Sequence, residues 1–352
     1  MVGSVLLYTL VAIVSTGVIW FGSALLERSS ERLSTYYQLP DIVQGAVVVA
    51  VGSSFPELST TVISTLVHGE FELGVSAIVG SAIFNILVIP GLAGMVQPGG
   101  LPTNRDVVYK EAQFYMIAVA VLLLTFSFGA IYNPVEPGEA GAGAIQGEVG
   151  RLLAMIPVGA YLLYLFLQYQ DTADYDAPPV EISIYVGKEW LILLFSLAII
   201  LAGVEGLVSS AVQFGAIFQT PTFLWGITVV AAGTSVPDAF VSIRAARAGH
   251  STTSLANVFG SNVFDLLIAI PAGILIAGTV VVNYSIAAPM LGVLTLGTVI
   301  LFVMLRTGLK LTRPEASVLL VLYVVFVVWI SLESAGWVDL VPSLPPAPGE
   351  GR

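Results

Sequence analysis

The chain has 352 residues, 57% of them hydrophobic and 10% charged, with a net charge of −11 and a mean hydropathy of +0.94. This composition excludes an ordinary water-soluble domain, and the lack of cysteine excludes disulfides, thiolate metal sites and cysteine nucleophiles. Apolar stretches of about 20 residues, the length that crosses the hydrocarbon of a bilayer, recur along the whole chain.

The first stretch, from about Ser4 to Leu26, is longer than a signal-peptide core and lacks a basic leader and a small-residue cleavage site, so it reads as a spanning helix. Further apolar runs, bounded by charge, glycine or proline, predict helices starting near residues 41, 72, 111, 150, 187, 220, 252, 283 and 314. The expectation is an all-α membrane protein of ten transmembrane helices. Acidic side chains gather in the connections Glu136 to Glu148 and Asp171 to Glu181, where they read as a solvated coat, since neither has the ligand spacing of a calcium loop. Three lysines only, Lys110, Lys188 and Lys310, and this acidic surface suit a salty medium.

Basic residues accumulate in cytoplasmic loops. With both termini outside, Arg28, Arg32, Arg105, Lys110, Lys188, Arg244, Arg247, Arg306, Lys310 and Arg313 all fall inside, leaving Arg151 and Arg352 outside. The expected location is therefore a plasma membrane crossed many times in that orientation.

The two halves resemble each other. Residues 45–57, GAVVVAVGSSFPE, align with residues 226–238, GITVVAAGTSVPD, at an offset of 181, and residues 80–87, GSAIFNIL, align with residues 260–267, GSNVFDLL, at 180. Five helices per repeat, an odd number, invert the second copy relative to the first. The expected layout is a first repeat over 1–170, an acidic cytoplasmic linker over 171–186, an inverted second repeat over 187–338 and a disordered tail over 339–352.

Polar groups concentrate in those blocks: Ser53, Ser54 and Glu57; Ser81 and Asn85; Thr234, Ser235 and Asp238; Ser261, Asn262 and Asp265. A carboxylate at the centre of a spanning helix costs about 2.5–3.5 kcal/mol on insertion scales, and no lysine or arginine in these segments offsets it. The compensating charge has to come from solution. Pro56 and Pro237, each just before a carboxylate, remove an amide and disfavour the helical conformation of the preceding residue. The motif-bearing second, third, seventh and eighth segments are therefore expected as broken helices around a central ion site, with carbonyl oxygens freed at Ala50 and Ala231. Oxygens without histidine or sulfur suit sodium, potassium or calcium rather than zinc or copper. Gly52, Gly80, Gly233 and Gly260 read as helix-packing positions, and His68 and His250 as interfacial. Glu205 aligns with Ala24 in the first half and has no assigned role.

The blocks GSSFPE with GSAIFN, and GTSVPD with GSNVFD, resemble the two alpha-repeats of the calcium/cation antiporter superfamily, and AAGTSVPDAFVSIRAARAG with GSNVFDLL is most similar to the potassium-dependent sodium/calcium exchangers. The resemblance implies ten helices, an outward N-terminus and a central site opened alternately to either side as the first and sixth helices slide against the rest. It implies Glu57 and Asp238 as the central calcium ligands. Flanking sodium sites fall to Ser53, Ser54, Ser81, Thr234, Ser235 and Ser261 with the backbone oxygens of Ala50 and Ala231, and Asn85 and Asp265 complete the set. The aspartate at 265 is similar to the potassium-dependent branch. Many microbial members carry glutamate where Asp238 stands, which bears on affinity, and the short connection after helix five leaves no room for the calcium-sensing domains of the animal exchangers.

The implied function is secondary active antiport, sodium inward against calcium outward, with potassium cotransport compatible with the formal charge of the three carboxylates. Proton/calcium antiport is the alternative. No cofactor, enzymatic activity, nucleic acid or obligate protein partner is expected, only the ions and the lipid bilayer. An intramembrane aspartyl protease leaves the repeat unexplained, and a channel calls for a continuous pore.

Overall fold

The computed structural model describes residues 2–37, 50–136, 144–170, 185–341 and 344. Helix α1 spans Val2–Tyr36, a short α2 Ala50–Ser53, α3 Phe55–Leu66 and α4 Phe71–Val96. They are followed by α5 (Val107–Tyr132, opening on a π turn over Val107–Glu111), α6 (Arg151–Gln170), α7 (Val186–Phe218) and α8 (Thr222–Arg247, with a π turn at Gly226–Val230). Helix α9 covers 251–277, with a π turn at Asp265–Ala269; α10 is Tyr284–Arg306 and α11 Arg313–Ser334. Among the described residues nine helices are long and apolar enough to cross a membrane. The start of the second expected helix, near residue 41, lies outside the described residues.

Helix α4 is the axis of the bundle. It is buried over most of its length and packs on α3, α8, α10 and α11. Helix α1 packs chiefly on α7, and its outer face presents Leu6, Leu10, Ile13 and Phe21 to the surroundings, as a lipid-facing helix does. Small residues let these two backbones approach: a Cβ on Gly22 would stand 2.8 Å from Ile200 Cγ1, and one on Gly203 2.8 Å from Ile19 Cγ1.

Several expectations are corrected. The fold is mostly helical but carries two small antiparallel sheets at helix ends. One pairs β1 (Leu101–Pro102) with β5 (Lys310–Leu311); the other orders β2 (Pro134–Val135), β3 (Gln146–Gly150) and β4 (Thr279–Asn283), with Gly147 opposite Val282. The acidic stretch 136–148 is thus partly strand, with Glu148 exposed on it. Most of the expected linker, 171–184, lies outside the described residues.

Glu333, fully buried, accepts hydrogen bonds from the Leu340 and Val341 amides, and Val341 and Leu344 are themselves buried. One carboxyl oxygen accepting from two backbone donors fixes this turn. Residues 342, 343 and 345–352 lie outside the described residues.

The expected helix breaks are only partly present. Ser54 is a turn between α2 and α3, and Pro56 sits in the first turn of α3, where its missing amide costs nothing. Helix α4 is continuous, and α8 runs straight through Pro237. In a buried membrane helix, hydroxyls and π turns can satisfy displaced backbone groups without a break. The carbonyl that Pro237 leaves without its amide is that of Gly233; nearer the π turn, Thr234 Oγ1 donates to the carbonyls of Val230 and Ala231, both at 3.2 Å. Helix α9 is likewise continuous through its π turn, in which the Ile270 amide reaches back to the Asp265 carbonyl.

A candidate cation site between four helices

The turn at Ser54 delivers Glu57 into the first turn of α3, where the backbone amides of a helix N-terminus favour negative charge. Its Oε1 accepts a hydrogen bond from Ser81 Oγ of α4 at 3.2 Å, and Ser81 Oγ lies 2.7 Å from Ser235 Oγ of α8. A second link joins α4 to α9: Asn85 Nδ2 donates to Asn262 Oδ1 at 3.0 Å, and Asn262 Nδ2 donates to the Ala82 carbonyl at 3.3 Å. A third joins the Ser54 turn to α9, from Ser54 Oγ to the Ser261 carbonyl at 3.4 Å. The four polar blocks of the sequence therefore meet at one level of the bundle, as their repetition suggested.

Close approach makes this possible. A Cβ on Gly80 would stand 2.3 Å from the Ile227 carbonyl oxygen, and one on Gly233 2.6 Å from Leu207 Cδ2. These two glycines pack as expected. Gly52 and Gly260 have room, their nearest neighbours being Leu26 Cγ and Tyr164 Oη, each at 3.9 Å.

The unpaired acceptors are the informative feature. Glu57, Asp238 and Asp265 are 1%, 2% and 0% exposed. Among the described residues, Glu57 Oε2, both oxygens of Asp238, both of Asp265 and Asn85 Oδ1 are buried without a hydrogen-bond donor. The carboxylates act on one another electrostatically: Asp238 feels Glu57, and Asp265 feels both. Buried acceptors are ordinarily satisfied, and each left bare costs about 1–3 kcal/mol or more when charged. Six such oxygens suit a hard cation. Among the described residues no three acidic or imidazole groups cluster tightly enough to hold a metal by themselves, so hydroxyl, amide and carbonyl oxygens are needed as well.

Of the other expected site residues, Ser53 is half-buried beside the turn, and Thr234, Ser235 and Ser261 are buried. Ala231 is not freed by a break: it begins a continuous α-helical stretch of α8, and its carbonyl accepts from Thr234 Oγ1. Ala50 begins α2. Three residues were given no role from the sequence. Asn262, standing where the first repeat has Ala82, holds Asn85 in place. Tyr115 on α5 and Tyr161 on α6 are buried against α9, with ring centroids 6.0 Å from Phe259 and 5.7 Å from Phe264, the residue before Asp265. Both tyrosines stand outside the repeated blocks, so no motif marks them. Glu205 now has a partner: its Oε1 lies 3.1 Å from His68 Nε2 and accepts from Ser209 Oγ at 3.0 Å.

The fold and this oxygen-lined centre define a polytopic helical membrane protein of the ion-exchanger class. The chain belongs to the sodium/calcium exchanger protein family, whose profile matches residues 7–170 and 188–332. Members of this family are antiporters, transporters rather than enzymes. The chain is 26% identical to an uncharacterized membrane protein of Methanocaldococcus jannaschii, over 88% of this chain and 93% of that one. To the sodium/calcium exchanger MaX1 of Methanosarcina acetivorans it is 25% identical, over 87% and 93%. A shorter match, 40% identical over 100 residues, is to human sodium/potassium/calcium exchanger 4, covering 28% of this chain and 15% of that protein. In fold it is similar to the sodium–calcium exchanger NCX_Mj, with a TM-score of 0.58 and 23% identity over 93% of this chain and 99% of that one. It is also similar to the H+/Ca2+ exchanger CAX, with a TM-score of 0.68 and 17% identity over 91% and 82%.

Proposed function

We propose that this chain moves sodium into the cell and calcium out through one site, occupied by the two cations in turn. The observation that carries the reading is the set of six buried oxygens without donors, contributed by Glu57, Asp238, Asp265 and Asn85. A protein keeps such a set only if a ligand offsets its burial for part of the cycle. Glu57 and Asp238 are the central calcium ligands. Ser53, Ser54, Ser81, Thr234, Ser235 and Ser261, with the carbonyls of Ala50 and Ala231, take the smaller charge of sodium. Asn85 and Asp265 complete the site. The carboxylates carry −3 when all are ionised, which three sodium ions, or one calcium with one potassium, neutralise. Competition for the same oxygens couples the fluxes. The chain would cross the plasma membrane ten times, in two inverted five-helix repeats over 1–170 and 187–338, with both termini outside and the 171–186 linker in the cytoplasm. The matched sequence blocks and the basic residues support that arrangement.

Proton/calcium antiport is the second reading, favoured by the higher TM-score against the H+/Ca2+ exchanger. The hydroxyls around the carboxylates argue for sodium, because a proton needs fewer oxygens. Purified protein in calcium-free proteoliposomes separates the two. Calcium uptake driven by an outward sodium gradient, with the pH clamped, supports sodium exchange. Uptake driven only by a pH gradient transfers the function to protons, and uptake under neither gradient sinks both readings.

A further inference from the structure

An amide side chain has one end that accepts and one that donates, so Asn85 can serve a cation only while Oδ1, and not Nδ2, is the end turned to it. Its surroundings fix that choice. The Ala82 carbonyl can only accept, so Asn262, which meets it at 3.3 Å, turns Nδ2 toward it. Asn262 Oδ1 is then the end left for Asn85, which donates to it from Nδ2 at 3.0 Å. Asn85 Oδ1 is the last member of this chain of amides, buried and without a donor among the described residues. Ala82 and Asn85 are three residues apart on α4, so a single residue of α9 reaches both on one helical face. Both asparagines are 0% exposed, which keeps bulk water from replacing either bond.

The aligned positions of the two repeats agree with this division of labour. At the offset of 180, Asn85 corresponds to Asp265 and Ala82 corresponds to Asn262. The counterpart of the pair Asn85 with Asn262 is therefore Asp265 with Ala82. A carboxylate carries an oxygen at both ends and needs nothing to orient it, whereas an amide does. The second asparagine occurs where the ligand is an amide, and alanine stands at the matching position where the ligand is a carboxylate.

We propose that Asn262 is a positioning residue that sets the polarity of Asn85: anchored on the Ala82 carbonyl, it holds the Asn85 amide with its oxygen offered to the cation and its nitrogen turned away. The inference rests on the exchange reading and adds to it a residue that touches no ion. Without Asn262, the Asn85 amide is free to turn its N–H groups into the site, where they oppose a cation.

Equilibrium radiocalcium binding by the detergent-solubilised full chain tests this with Asn262→Leu, which is close in volume but forms no hydrogen bond, made alone and in Asn85→Ala and Asn85→Asp backgrounds. Alone it is expected to weaken calcium binding by about fivefold to tenfold, the scale of one lost hydrogen bond. In the Asn85→Ala background it should cost less than about twofold, because no amide is left to orient. In the Asn85→Asp background it should again cost less than about twofold, because either carboxylate oxygen serves. Asn262→Ala reads the same quantities if the leucine protein does not fold. Wild-type affinity in the single variant, or an equal loss in all three backgrounds, overturns the positioning role and leaves the exchange reading intact. A wild-type protein that binds no calcium overturns the exchange reading, and this role with it.

Discussion

Ser235 Oγ of α8 and Ser81 Oγ of α4 stand 2.7 Å apart, and with Glu57 ionised Ser235 is the donor of that pair. Ser81 has one proton and places it on Glu57 Oε1 at 3.2 Å, so its bond to Ser235 is one it can only accept. The direction of this relay follows from counting protons. It leaves Ser81 with one lone pair free and Ser235 with both, facing a carboxylate whose second oxygen is bare. Ser81→Ala removes both bonds and is expected to weaken sodium competition against calcium by about tenfold, Ser235→Ala by less. Sodium inhibition curves of calcium binding to the two variants check the order.

Charge at the centre is expected to matter more than shape. Glu57→Gln and Asp238→Asn keep the side-chain volume but remove a formal charge, and each should lower calcium affinity by about two orders of magnitude. Equilibrium radiocalcium binding measures this directly. Near-wild-type affinity in either variant would remove that residue from the site.

The same substitutions are expected to stabilise the ion-free protein, because they relieve repulsion among buried charges that form no ion pair with a cationic side chain among the described residues. In wild type, calcium at a hundred times its dissociation constant should add about 2.7 kcal/mol of stability, and in Asp238→Asn little of this should remain. Thermal melts of the detergent-solubilised protein with and without calcium report both effects.

Asp265 separates potassium-coupled from potassium-independent exchange. With Asn at 265 the formal charge falls from −3 to −2, which one calcium balances alone. Calcium flux in Asp265→Asn is therefore expected to lose whatever potassium dependence wild type shows. An unchanged potassium response in this variant would break the charge argument.

Two glycines at matched positions of the repeats should differ. A methyl on Gly80 meets the Ile227 backbone at 2.3 Å, whereas one on Gly260 meets only the Tyr164 hydroxyl at 3.9 Å. Gly80→Ala is expected to cost about 1–3 kcal/mol and Gly260→Ala close to nothing, as read by melting temperature.

Much of the candidate site was legible because burying charge in a bilayer is so costly that few sequences attempt it. Glu57, Asp238 and Asp265 stood out against uninterrupted apolar segments, and the paired blocks around them announced their meeting. Asn262 was visible as a polar residue but not as the support of Asn85, since that role depends on how α9 lies against α4. Tyr115 and Tyr161 could not be found at all: an aromatic in an apolar helix reads the same whether it faces lipid, a neighbouring ring or a carboxylate. Proline misled in the opposite direction. Pro56 and Pro237 carry the same local restriction, yet one follows a turn and the other lies within a continuous helix.

The sequence by itself determined that the chain is a membrane protein, where most of the described helices begin, and which polar residues had to be gathered, because hydrophobic length and the cost of an isolated charge are properties of local composition. Only the tertiary structure decided which helices stay whole, which hydroxyl donates to which oxygen, and that Glu205 is matched by His68 while Glu333 holds the final turn. Those outcomes depend on partners distant in the chain, and a hydrogen bond or a π turn is settled by the neighbour that arrives to complete it.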